Sequence, residues 1–460
     1  MKYKSLGAVR EVTGSMHLLI SEQGSKLLLD CGMFQGKRSE AEQKNRNPKI
    51  NPKDVDAIII SHAHLDHCGL APLLVKKGFT GPIYVTPATA ELMQYILADS
   101  AYLQQKDAEY INKKRKKGEP KVEVLYSQQD VETTLGLLNI KNFNSEFEIS
   151  GGFNATFYRA GHILGSALVE VKESGKTLLF TGDLGRKNAP LLQDPEDLSN
   201  HKINYLLTES TYGGRIHHDF TQGRQRISQA INKIDQTKGK LIIPAFSLGR
   251  TQEIVYSIHQ LRVDKKIPQN IEVFVDSPLS VNVTEIFRQH FYELDEETQE
   301  LMRKDGDPLG FGTLKYTKSV EESKALNTKE GPFVVISASG MCEGGRIVHH
   351  LKNSISDSKN IILIVSFQAQ HTLGRRIAEG NNEIKIFGEK YRVAAEVLTN
   401  NEWSAHADSN ELVKFATSVN PDQTFLVHGE MEQMEMLKNR LQDNDLSVTI
   451  PDLEDSIRQL

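Results

Sequence analysis

Three cysteines in 460 residues are too few and too scattered for a disulfide framework. None of Cys31, Cys68 and Cys342 stands in the CxxC spacing of a cysteine zinc site. This usage predicts a reducing, cytoplasmic setting. Long apolar runs are missing too: none approaches the ~20 residues of a membrane-spanning helix, so no membrane partner is expected. The opening stretch MKYKSLGAVREVTGSMHLL lacks the charged, apolar and small-residue order of an export signal, and a leader is not expected there. Positive charge is not in excess. A net charge of −5 excludes a protein that holds nucleic acid by a global basic field, so any such binding needs a local groove. Repeats, low-complexity tracts and Pro/Ser linkers are also lacking. What remains is an ordinary globular composition, 38% hydrophobic and 25% charged, with length for roughly three domains and a core of real size.

The chain alternates β-rich runs with helical stretches. LLLDCG (27–32), AIIISHAHLDH (57–67), TLLFTGDLG (177–185) and YLLTEST (205–211) come first. LIIPAFSLGR (241–250), EVFVDSP (272–278), FVVISASGMC (333–342), IILIVSF (361–367) and TFLVHGE (424–430) follow. Most are near-continuous Val/Ile/Leu, as expected of strands covered on both faces by helices. Helices are predicted over 251–261 and 431–441, and over a stretch that starts near Thr86 and closes in the basic run 113–117. That run reads first as a solvated cationic helix end, favourable against the macrodipole, and second as an RNA contact. Polar residues of chemical interest fall at the ends of strands, where α/β folds gather their chemistry.

The sharpest signal is SHAHLDH (61–67), directly after an apolar run. His62, His64, Asp66 and His67 cannot all face one side of a helix or strand. In a tight loop they can fan around two metal ions, which two-metal hydrolases hold ~3.5–4 Å apart. Imidazole and carboxylate are donors that suit zinc. His162 in AGHILGS, Asp183 in TGDLG and His428 in VHGE each read singly as satisfied core or loop residues. Together with the histidine loop, in this order, they form a set.

This order resembles the metallo-β-lactamase superfamily, with Asp30 of LLLD matching its first motif. The resemblance implies that His62, His64 and His162 hold one ion, that Asp66, His67 and His428 hold another, and that Asp183 bridges them. Between Asp183 and His428 the interval is far longer than a plain member needs, and it narrows the likeness to the β-CASP nucleases. TESTYGGR (208–215) resembles motif A, with Glu209 as its acid, and SAHAD (404–408) resembles motif B, with His406 as its key residue. His428 then matches motif C, in the form found in RNA-cutting members. PAFSLGRTQE, VDSPLS, SASGMCEGGRI and TLGR extend the likeness across the insert. The nearest resemblance is to bacterial proteins similar to the nuclease subunit of the eukaryotic pre-mRNA 3′-end cleavage factor.

The likeness implies an α/β architecture: a four-layer αββα metallo-β-lactamase domain over 1–205 and 388–460, with an inserted α/β β-CASP domain over 206–387. Segments 385–399 and 424–427 would return to the first domain's sheets. It also implies two Zn²⁺ per chain, RNA as substrate, hydrolysis by a zinc-activated hydroxide, and 3′-hydroxyl and 5′-phosphate products. Asp30, Asp66, Glu209 and His406 form the expected catalytic group, with His406 as general acid; the SAHAD form leans towards endonuclease. Softer expectations place RNA phosphates against Arg250, Ser337, Ser339, Arg346 and Arg375. His217-His218 and His349-His350 read as solvated or helix-face residues. His371 and Glu402-Trp403 depart from the family, whose members usually carry Gly and Gly-Phe there. A homo-oligomer is compatible with the sequence. The alternatives are another metallo-β-lactamase-type hydrolysis, which the three motifs and the insert oppose, and a non-catalytic RNA-binding scaffold, which the complete ligand set opposes.

Overall fold

The apolar runs become short strands whose two faces are both buried. The computed structural model describes residues 1–116, 120–217, 219–304, 306–366, 368–453 and 457–460. It divides into two compact units, one of Met1–Asn188, Asp194–Ile216 and His406–Leu460, the other of Ala189–Gln193 and His217–Ala405.

The first unit holds two seven-stranded sheets. In one, Lys26–Leu29, Ala57–Ile59, Ile83–Val85 and Leu138–Ile140 run parallel, side by side. In the other, Gln423–Val427, Tyr205–Glu209 and Lys176–Phe180 run parallel, and Ala167–Glu173 and Phe153–Arg159 follow antiparallel. Strand alternation sends Leu27, Leu29 and Ile59 from the first sheet, and Phe157, Val169 and Phe180 from the second, into one core between them. Leu28 and Ile58 point the other way and are also fully buried, under the helical side. Ala71–Lys76, Pro87–Lys114 and Gln128–Leu135 pack on one another there. Behind the second sheet, Leu412, Ala416, Leu437 and Leu441 of helices Ser409–Val419 and Met431–Gln442 close a second core with Leu179 and Leu206. The result is the expected helix–sheet–sheet–helix stack.

Phe157 is fully buried at the centre of the inter-sheet core, its ring centroid 5.2 Å from that of Phe147. Phe157→Ala is expected to destabilise this unit by about 3–5 kcal/mol, read as a lower denaturant midpoint. A loss below about 1 kcal/mol would mean that the sheets collapse onto the gap.

The second unit is built on a six-stranded sheet, whose order is Leu314–Tyr316, Glu272–Val275, Phe333–Ser337, Lys240–Pro244, Ile361–Ile364, Glu396–Thr399, all parallel. Here the structure corrects the expectation for 385–399. Glu396–Thr399 pairs with Ile361–Ile364 in the second unit, and Glu383–Ile386 with Glu389–Arg392 forms a hairpin of its own. A four-residue run such as EVLT carries no mark of which sheet it joins; an available edge decides that.

The departures at Glu402-Trp403 are structural. Trp403 is fully buried over Gly223, where an added Cβ would lie 2.4 Å from its indole nitrogen, and Glu402 pairs with Arg226 at 3.0 Å. His371 has φ 71°, the left-handed backbone that explains a glycine in relatives. Helix Pro87–Lys114 carries the basic run to its C-terminus, where Lys113 and Lys114 are exposed; Lys117 lies outside the described residues. The three cysteines are buried and form no disulfide. Among the described residues no helix is long and apolar enough to cross a membrane.

Candidate active site

Parallel pairing sets three strand ends in a row. Leu207 pairs with Phe180 and Glu209 with Val427, so the loops carrying Asp183, Ser210 and His428 emerge together. Gly185 lets the chain pass against Gly161, whose carbonyl oxygen would lie 2.0 Å from an added Cβ, and this brings His162 beside Asp183. From the other sheet, Ala57–Ile59 leads into the loop that presents His62 and His64, and the short helix Leu65–Cys68 aims Asp66 and His67. Every residue of the expected ligand set therefore lies within the first unit.

The donors fall into two groups joined by one carboxylate. His64 Nδ1 lies 3.2 Å from both His62 Nε2 and His162 Nε2, and each of those Nε2 atoms lies 3.5 Å from Asp183 Oδ2. A tetrahedral metal site with bonds of ~2.0–2.1 Å has ligand–ligand edges of about 3.3 Å, and these four distances match that spacing. The second group is looser. His67 Nε2 lies 3.3 Å from Asp183 Oδ1 and 4.0 Å from Asp66 Oδ2, and His428 Nε2 lies 3.5 Å from Asp66 Oδ2. Asp183 thus gives one oxygen to each group. A metal fits these residues on a further count. His67 Nε2, Asp183 Oδ1 and His428 Nε2 are buried and, among the described residues, meet no hydrogen-bond partner. Buried polar atoms left this way are costly unless something else satisfies them.

Hydrogen bonds behind the ligands fix which ring nitrogens face inward. Asp30, fully buried and held at φ 60°, accepts from Ser61 N (2.8 Å), Ser15 Oγ (2.9 Å), Ser61 Oγ (3.0 Å) and His67 Nδ1 (2.6 Å). Since Ser61 Oγ donates to Asp30, it accepts from His62 Nδ1 at 3.0 Å. Thr211 Oγ1 donates to the His428 carbonyl and accepts from His428 Nδ1, both at 3.1 Å. Asp30, expected among the catalytic residues, is here a positioning residue behind two ligands. Ser15, Ser61 and Thr211 were not anticipated, because hydroxyls beside motif residues carry no spacing signal. Asp30→Asn keeps the shape but removes the charge facing His67. It should weaken metal affinity by about 10–100-fold with an unchanged circular dichroism spectrum. Unchanged affinity would mean that His67 is oriented by other contacts.

His406 stands beside this pair of groups. Its Nδ1 lies 3.1 Å from both oxygens of the fully buried Glu209 and 3.9 Å from Asp183 Oδ2. Glu209 is fixed by the Leu184 backbone N–H at 2.6 Å, and Ala407 N–H bonds the Leu184 carbonyl at 2.7 Å. With Nδ1–H donated to Glu209, Nε2 is left as the atom that carries a transferable proton.

Charge states follow from burial and neighbours. Burial lowers His62 well below its ordinary value and takes His64 down to about 4, the neutral state in which imidazole ligates. Burial alone would raise Asp66, but the adjacent His428 and His67 take it to about 2. Burial opposes charge on His406 as well, yet Glu209 and Asp183 outweigh it and lift the imidazole to about 9. Bound cations would pull that value down.

With this geometry in place, sequence likeness can be weighed. Residues 10–245 match the Metallo-beta-lactamase superfamily, 251–377 the Beta-Casp domain, and 390–451 the Zn-dependent metallo-hydrolase RNA specificity domain. The chain belongs to the metallo-β-lactamase superfamily, in its β-CASP branch. As a β-CASP member it is a metal-dependent hydrolase that binds divalent metal. It is 35% identical to the Ribonuclease TTHA0252 of Thermus thermophilus over 94% of each chain. It is 32% identical to the RNase J-like protein of Methanocaldococcus jannaschii, over 90% of this chain and 89% of that one. The Cleavage and polyadenylation specificity factor 73 of Drosophila melanogaster is 28% identical, over 96% of this chain and 62% of that longer one. A crystal structure of a protein of unknown function from Enterococcus faecalis V583 covers 99% of the chain at 12% identity and a TM-score of 0.55, a likeness of fold alone.

The residues expected to hold RNA phosphates lie in the second unit, where each of the five has an internal partner. Arg250 is buried and ion-paired with Glu253, and Ser337 Oγ donates to the Asp276 carbonyl at 2.8 Å. Arg346 bonds Asp276 Oδ1 at 2.7 Å, Ser339 Oγ accepts from Glu343 N at 3.1 Å, and Arg375 bonds Glu379 at 2.6 Å. Arg250 and Ser337 are thus accounted for by the fold. His350, read as solvated or helix-face, lies on helix Arg346–Ser354 and is buried, with Nε2 2.6 Å from Asp276. Its helix neighbour His349 is exposed as expected. His217 is half-buried, and His218 lies outside the described residues.

Proposed function

We propose that this chain is a zinc-dependent ribonuclease that hydrolyses RNA phosphodiester bonds, cutting internally. The observation that carries the reading is Asp183, whose Oδ2 belongs to the group of His62, His64 and His162 and whose Oδ1 lies 3.3 Å from His67 of the neighbouring group, with the His406–Glu209 pair beside it. The names of the relatives and the RNA specificity domain support RNA as the substrate. His62, His64, His162 and Asp183 would hold one Zn²⁺, and Asp66, His67 and His428 the other, with Asp183 Oδ1 close to His67. When bound, the ions activate a water and neutralise charge on the scissile phosphate.

The residues of the chain do the rest. Asp66 stays ionised at neutral pH and can take a proton from the attacking water. Water oxygen bonds to phosphorus, the bond from phosphorus to the 3′-oxygen breaks, and His406 Nε2 gives its proton to that leaving oxygen. Glu209 keeps the imidazole in the tautomer and orientation this requires. The products are a 3′-hydroxyl and a 5′-phosphate, and no 2′-hydroxyl takes part. Elemental analysis of purified protein tests the metal reading. Two zinc ions per chain, with RNA cleavage lost on chelation and restored by zinc, are expected; cleavage that persists at near-zero metal would refute it.

A further inference from the structure

The second unit contains a cavity of about 580 Å³ lined by none of the metal donors or proton carriers assigned above. Its floor is apolar: Val348, Leu373 and Ile386 are all buried. Its walls are cationic. Lys324, Arg376 and Lys385 line it, all three exposed, and among the described residues none of the three meets a carboxylate. Cations close by in sequence do: Lys329 pairs with Glu272 at 2.8 Å, Arg375 with Glu379 at 2.6 Å and Lys390 with Glu383 at 2.8 Å. The carboxylate in the lining, Glu343, is turned to the Leu373 N–H at 2.5 Å. The cavity therefore offers three cations without a carboxylate partner above an apolar base, a combination suited to an anion with a flat apolar part.

An aromatic residue stands at the same cavity. Phe387 is 59% exposed, its ring centroid 4.9 Å from that of the exposed His349. It occupies the first turn position of the hairpin between Glu383–Ile386 and Glu389–Arg392, with φ 53°, and Gly388 follows at φ 85°. Hairpin turns with two positive φ values favour Asn-Gly or Asp-Gly. A phenylalanine there is strained and solvated at once, and neither hairpin nor core needs it.

We propose that this cavity is a nucleotide-binding site, with a base stacked on Phe387 and its phosphate held by Lys324, Arg376 and Lys385. The shared chemistry is a nucleoside monophosphate unit, drawn either from a free mononucleotide or from a nucleotide of a single-stranded RNA. Stacking on aromatic rings suits any base, and the cations recognise its phosphate. Only the RNA source rests on the ribonuclease reading.

Adenosine 5′-monophosphate has no diester to hydrolyse, so its binding to the metal-loaded protein can be titrated calorimetrically without turnover. Saturable binding is expected. Phe387→Ala should weaken it by about 5–100-fold, the loss of one stacked base, and Arg376→Glu by at least tenfold. Inorganic phosphate should respond to Arg376→Glu but not to Phe387→Ala. If Arg376→Glu folds poorly, Lys324→Ala tests the same anion side. A phosphorothioate-linked single-stranded RNA separates the sources. Loss of its affinity in the same variants assigns the site to the RNA chain, and retention beside lost mononucleotide binding assigns it to free mononucleotides. Mononucleotide affinity unchanged in all variants overturns the proposal, including the case where chelation alone abolishes it and places the ligand on the metal centre. Failed RNA hydrolysis beside intact, variant-sensitive mononucleotide binding would sink the ribonuclease reading alone.

Discussion

His406→Ala should lower the turnover of RNA by about 10²–10⁴-fold while the protein keeps its fold and its metal. The imidazole lies against Glu209, and Asp183 Oδ2 is 3.9 Å from its Nδ1, so it adjoins the two ligand groups without completing either. Its pH signature is distinctive. A general acid works in its protonated form, and Glu209 and Asp183 favour that form, lifting His406 to about 9 against the pull of burial. Activity should therefore be retained below this pKa and fall as pH rises through it, with bound cations shifting the limb to lower pH. In His406→Ala that limb should disappear. Steady-state rates across a pH series, with metal content measured on the same samples, separate the roles. Loss of metal in the variant would make His406 a ligand, since Asp183, Glu209 and His406 also lie close enough to form a third donor group.

Asp183→Ala should have a still broader effect. One carboxylate reaches both groups, Oδ2 beside His62 and His162 and Oδ1 beside His67. Its removal takes a carboxylate oxygen from beside each group and leaves four buried imidazoles without that charge. Both ions should bind at least 10–100-fold more weakly, and hydrolysis should become undetectable at ordinary zinc concentrations. Retention of two tightly held ions would show that the groups are independent sites without a shared oxygen.

The donors that the structure brings together were legible in the sequence because four of them crowd into 62–67, and the family resemblance added His162, Asp183 and His428 to that loop. What escaped was every interaction whose partner is distant in sequence and chemically ordinary. Ser61 and Thr211 orient His62 and His428 through hydroxyls that differ in no visible way from loop serines and threonines. His350 read as a solvated or helix-face residue with no assigned partner, but Asp276 accepts it together with Arg346 and Ser323. That carboxylate at a strand end gathers three donors because a buried charge must be satisfied, and single-sequence periodicity cannot show which helix supplies them. Glu396–Thr399 joined the other sheet for a similar reason: its residues specify a strand, and only the assembled edge specifies a partner.

Sequencing both ends of the fragments released from a defined single-stranded RNA by zinc-reconstituted protein tests zinc-dependent RNA hydrolysis most directly. Internal cuts that leave 5′-phosphate and 3′-hydroxyl ends, absent after chelation and restored by zinc, are the predicted result. Fragments with 5′-hydroxyl or 2′,3′-cyclic phosphate ends, or the same fragments from chelator-treated protein, would contradict it.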